Sequence, residues 1–142
     1  MSKENKQLRG KVALLTGAVR RNGRAMALAL AREGANIVIN TKASEQEAES
    51  TAAEIEGLGV DAIVQLADIT DEDAVKKMIE ATASRFGRLD ILVNNAANRA
   101  QSPFLDISFE QWRSILSIVL DGAFLCSRAA LPHLVASGGG RI

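Results

Sequence analysis

Four short apolar runs are separated by segments of helical length, and this alternation limits the folds open to the chain. Residues 11–15 (KVALL) and 37–39 (IVI) are too short for helices and are rich in branched residues. So are residues 62–66 (AIVQL) and 89–93 (LDILV). Continuous apolar runs of this length suit strands buried on both faces. Between the first two runs, Ala25, Met26, Ala29 and Leu30 recur at helical spacing, and Gly34 follows as a stop. Ser44-Glu45-Gln46-Glu47 fits a capping box and opens a second helix with Ala48, Ala52 and Ile55 inward; Gly57 and Gly59 end it. Thr70 is placed to cap a third, with Asp71, Glu72 and Asp73 where the helix dipole favours acids. Val75, Met78, Ile79 and Phe86 form its stripe, and Gly87 stops it. After a polar loop, Ser108-Phe109-Glu110-Gln111 is a further capping box, opening a long helix to about Ala136. Arg141-Ile142 reads as the first step of a fifth strand.

Regular strand–helix alternation predicts an α/β fold, a doubly wound parallel sheet with helices on both faces. Right-handed crossovers give strand order 3-2-1-4. The 142 residues make one domain, with no internal repeat or linker. Strand 4 would then lie at an edge, an exposed ladder that proteins normally cover. The expectation is that the chain is cut at the start of strand 5, with pairing residues lying beyond it.

Charge narrows the function. Lys plus Arg and Asp plus Glu both number 17, which argues against a polyanion binder or an anionic membrane surface. Residues 1–42 nevertheless hold nine basic and two acidic residues, net +7, and the remainder is net −7. Such a cluster fits a small anionic ligand, or a solvated basic face. One Cys and one His exclude a disulfide framework and a Cys/His zinc cage. The longest uncharged stretch, residues 129–140, falls short of the roughly 20 apolar residues of a membrane span. A cytoplasmic location is expected, since the first eleven residues lack the apolar core of a secretory signal.

The first strand runs into Thr16-Gly17-Ala18-Val19-Arg20-Arg21-Asn22-Gly23 and then a helix. Strand, tight turn and helix together form a pyrophosphate cradle: glycines let backbone N–H groups approach, and the helix N-terminus is partly positive. Gly17 and Gly23 also serve as plain turn residues. About 20 residues past such a loop, an acid would accept a hydrogen bond from a ribose 2′-hydroxyl and favour NAD. Here stand Asn40, Thr41 and Lys42 instead, and Arg20 and Arg21 add two guanidinium groups. The expected ligand is therefore NADP(H), with a preference of about tenfold to a thousandfold from one or two charge-assisted hydrogen bonds.

These residues resemble the short-chain dehydrogenase/reductase family, whose members carry a Rossmann-type fold, and 3-oxoacyl-carrier-protein reductase-like members in particular. TGAVRRNG is similar to its TGxxxGxG loop, with Arg21 at the middle glycine as in the TGxxxRxG variant of NADP-dependent members. Asp68-Ile69 is similar to the family's adenine-contacting pair; Asp68 is equally able to cap a helix. Asn94-Asn95-Ala96-Ala97 resembles the NNAG motif, implying cofactor contacts at Asn94 and Ala96, although Asn94 also suits a purely structural tie. Gly139-Gly140-Arg141-Ile142 resembles the lead into strand 5.

The resemblance implies reduction of a carbonyl or oxidation of an alcohol, on a small-molecule substrate, by a homodimer or homotetramer joined through long helices. It also implies catalysis by Ser and Tyr-x-x-x-Lys beyond residue 142, since this chain contains no Tyr; no catalytic residue is assigned within it. The family's helical Asn aligns with Val119, which cannot hold a proton-relay water. Two rivals remain: a non-catalytic dinucleotide sensor on the same fold, and a flavodoxin-like phosphate or flavin binder. Cys126 is expected to be buried, His133 at the surface or capping the helix end, and Phe109 and Trp112 in packing contacts or lining a subunit interface. The loop 98–103 is expected near substrate.

Overall fold

The computed structural model describes residues 6–98 and 101–142. Arg99 and Ala100 of the expected substrate loop lie outside the described residues. The strands are β1 (Val12–Thr16), β2 (Asn36–Thr41), β3 (Ala62–Leu66) and β4 (Ile91–Val93). The helices are α1 (Arg21–Arg32), α2 (Glu45–Glu56), α3 (Glu72–Phe86), α4 (Phe109–Leu116) and α5 (Ala123–Ala136). A π-helical stretch, Ser117–Gly122, joins α4 and α5 into one rod. All pairings are parallel, in the order β3-β2-β1-β4, as the alternation predicts.

β1 shows why the sheet needs cover on both sides. Ala13 and Leu15 face one apolar cluster with Ala27 and Ala31 of α1 and Ala48 and Ile55 of α2. Val12 and Leu14 face the other, with Val75, Met78 and Ile79 of α3 and Cys126, Ala130 and Leu134 of α5. Each fully buried Leu, Ile or Val of this sandwich stabilises the fold by roughly 1.5–3 kcal/mol.

Several local expectations shift. The buried face of α1 is Gly23, Ala27, Leu28 and Ala31, whereas Ala25 and Ala29 are exposed. Small residues let this helix lie close to the sheet, and Met26 and Leu30 pack at its flank. Ser44 makes no cap; its hydroxyl instead accepts from Arg20 Nη2 at 3.3 Å. Asp71, not Thr70, caps α3, accepting from the backbone N–H groups of Asp73 and Ala74. The Ser108–Gln111 capping box forms as expected. β4 begins two residues late, because the Asp90 carboxylate turns to the Val12 N–H at 3.0 Å. Arg141 pairs with Ile91 in a single parallel bridge, the first step of a fifth strand on that edge.

The long rod departs most from expectation. Cys126, Ala130 and Leu134 are buried, but Phe109 is 77% and Trp112 48% exposed rather than packed. Phe109–Ala136 has a best-window mean hydropathy of 1.6, with 17% of that window buried. By length and composition alone it is thus long enough to cross a bilayer, although its charged residues break every uncharged run well short of a span.

Candidate functional site

The carboxyl ends of β1, β2 and β3 open into a cleft of ≈ 690 Å³. Ligands of open α/β sheets sit at this end. Twelve of the thirteen expected cofactor residues line it: Gly17, Val19, Arg20, Arg21, Asn22, Gly23, Asn40, Thr41, Lys42, Asp68, Ile69 and Ala96. Asn94 is the exception. Its side chain turns away and donates to Ser127 Oγ at 3.0 Å, tying β4 to α5.

Asn95 takes the place at the cleft. Its Nδ2 donates to the carbonyls of Thr16 and Gly17, both at 3.0 Å. Thr16 Oγ1 accepts from the Asn95 and Ala96 N–H groups, also at 3.0 Å. The turn after β1 is therefore clamped to the loop after β4. Gly17 has φ +62, and a Cβ there would stand 2.9 Å from Ala96 Cα. A Cβ on Gly23 would stand 2.5 Å from Asn95 Nδ2 and 2.7 Å from the Gly17 carbonyl oxygen. Both glycines are thus required by the clamp itself, whatever binds beside it.

The feature suited to an anion is the start of the helix instead. α1 has no side-chain cap and no acid in its first turn. By contrast, α3 is capped by Asp71 with Glu72 and Asp73 following, and α4 by Ser108. The N–H groups that open α1 are left to face the cleft, where a phosphate would satisfy them. Arg21 has φ 49, the one positive-φ residue other than glycine among the described residues. Holding a Cβ-bearing residue there costs about 1–2 kcal/mol, a strain that often accompanies a functional position.

At the β2–β3 end of the cleft, Asn40 is 2% exposed and its amide donates to the Gln65 and Ala67 carbonyls. It ties β2 to β3; Thr41 is buried beneath the Ser44 N–H, and Lys42 is left exposed at the rim. Lys42 Nζ lies 2.7 Å from Asp68 Oδ2. Asp68 Oδ1 accepts from the Thr70 N–H at 3.0 Å and the Thr70 hydroxyl at 2.7 Å. The Lys42 ammonium foremost, then the Thr70 donors, hold the Asp68 carboxyl at about 2. Asp68 is therefore ionised and caps no helix. Arg20 reaches Glu47 Oε2 at 3.3 Å as well as Ser44.

Asn98, the first residue of the expected substrate loop, lines the cleft, and Ser44, Thr70, Ser114, Ser117 and Ile118 do so without having been expected there. Ser114 and Ser117 share one face of the rod at helical spacing, and that spacing is the sequence signal for them. Val119 itself is 47% exposed and not on the cleft wall. The buried Cys126 thiol, pushed up to about 11 by burial, takes no part. His133 is half-buried near the far end of α5.

Comparison with known proteins agrees with this geometry. A family model described as short chain dehydrogenase matches residues 11–142. The 3-oxoacyl-[acyl-carrier-protein] reductase FabG of Staphylococcus aureus (strain Mu50) is 39% identical over 132 residues, which are 93% of this chain and 54% of that protein. A crystal structure of NAD+-bound xylitol dehydrogenase superposes with a TM-score of 0.91 at 33% identity, over 96% of this chain and 53% of that one. A short-chain type dehydrogenase/reductase from Mycobacterium marinum gives 0.89 at 34% identity, over 99% and 57%. The chain spans about half the length of the curated relatives it matches.

Proposed function

The chain belongs to the short chain dehydrogenase family, and from that premise we propose that the intact protein is an NADP(H)-dependent oxidoreductase interconverting a carbonyl and an alcohol. This chain would be its nucleotide-holding part. The observation that carries the reading is the convergence on one cleft of the uncapped α1 terminus, Arg20, Arg21, Lys42 and Asp68. The Gly17–Gly23 turn would take the pyrophosphate, Asp68 and Ile69 the adenine, and the three cations the 2′-phosphate. No acid stands at residues 40–42 to accept from a free 2′-hydroxyl. A nicotinamide would supply or accept the hydride. The proton would be handled outside this chain, which has no Tyr. Calorimetry on the intact protein tests the reading: NADPH should bind at least about tenfold more tightly than NADH. Equal affinities would remove the NADP preference, and absence of heat with either would remove the nucleotide reading.

The proposal extends to assembly and location. Exposed Phe109, Trp112, Leu120, Phe124, Leu131 and Val135 give the rod an apolar outer face, which supports a homodimer or homotetramer joined there. Light scattering that returns a monomer mass for the intact protein would overturn this. The protein would work in the cytoplasm on a small-molecule substrate; recovery from a membrane or exported fraction would refute the location.

A further inference from the structure

Three cations stand at the adenosine end of the cleft, and two already have acidic partners. Arg20 is paired with Glu47 and Lys42 with Asp68. Arg21 makes no ion pair among the described residues. The two halves of the Lys42–Asp68 pair are unequal. Asp68 is fixed, because its other oxygen accepts two bonds from Thr70. Lys42 is a flexible stem with its side chain 75% exposed. A phosphate arriving at Lys42 would meet an ammonium already seated on an immobile carboxylate, with that negative charge beside it.

We propose that Asp68 is a specificity-determining residue that competes with the ligand for Lys42, holding the preference for a 2′-phosphate below what the cations alone would give. The inference rests on the reading of the cleft as an adenine dinucleotide site. Asp68 would then do two opposed things: recognise the adenine base common to both dinucleotides, and temper the discrimination between them.

Two probes separate these roles, adenosine 2′,5′-bisphosphate and adenosine 5′-monophosphate. Both carry the same base, so any loss of adenine contact cancels in the ratio of their Kd values on the intact protein. Asp68→Asn should shift that ratio about threefold to tenfold further toward the bisphosphate, the range set by exposed ion pairs. In a Lys42→Gln background the same substitution should give a smaller gain. An unmoved or reversed ratio overturns the proposal. So does an equal gain in both backgrounds, which would mean simple repulsion by Asp68. Should Asp68→Asn fail to fold, Lys42→Gln alone decides: a fall in the ratio under about fivefold fits an ammonium held elsewhere, and a larger fall overturns the proposal. Binding of neither probe removes the nucleotide reading and this inference together; binding of both with a fixed ratio removes only this inference.

Discussion

Two aspartates at opposite ends of the sheet carry similar partners and do different work. Asp90, at the amino end, has its side chain 5% exposed between Arg88 and Lys11 and accepts from the Val12 N–H. Burial alone would raise its pKa; the Arg88 hydrogen bonds, the Val12 N–H and Lys11 outweigh it and hold the group at about 2. Asp68, at the carboxyl end, also lies at about 2, with its side chain 33% exposed and its lysine loose. The amino end spends its charge on closing the fold. At the carboxyl end, charge is left where a ligand can rearrange it. Similar pKa values therefore do not imply similar roles; what differs is how much water each pair has already surrendered.

Substitution should separate the two ends, and the largest effect belongs to Asp90. Asp90→Asn should cost about 2–3 kcal/mol in a urea titration, because a buried carboxylate that accepts four hydrogen bonds from three residues loses its charge. Asp68→Asn should cost under about 1 kcal/mol in the same titration. Equal costs would erase the distinction. The pH profile sharpens it. A folded-state pKa below the ordinary value means that the stabilisation from Asp90 is full above about pH 4 and is lost as pH falls toward 2. The Asn variant should lack that acid-limb loss. At Arg21 the expected change in stability is small and opposite in sign. Arg21→Gly should raise stability by about 1 kcal/mol through relief of its positive φ, while weakening NADPH binding. A drop in stability would show that the Arg side chain holds the turn together.

Much of this was legible in the sequence because it is periodic or local. Short branched runs announced the strands, and Gly87 ends α3 at φ +72 as a left-handed cap should. The Ser108 box is local and formed. The Ser44 box failed because a distant residue, Arg20, claims its hydroxyl, and no spacing rule reports that. Asn94 and Asn95 are adjacent and chemically identical; only the path of the chain leaving β4 decides which meets the Thr16 turn. The α1 face shifts for a different reason. Ala25 and Ala29 are as small and apolar as Ala27 and Ala31, and only the rotation of the helix against the sheet decides that Gly23, Ala27, Leu28 and Ala31 are the buried set. The Lys42–Asp68 pair joins the ends of two strands 26 positions apart, so its members were visible and their pairing was not.

Gly122 closes the π-helical stretch of the long rod and leans on Ile69 in the wall of the cleft. A methyl group there would lie 2.6 Å from Ile69 Cδ1 and 2.8 Å from Ile69 Cγ1. Ile69 follows Asp68 directly in the chain. The helix thus rests on the Asp68 end of the cleft through the Ile69 side chain, like a beam on its bearing. An engineer reshaping its outer surface would be moving that fulcrum too.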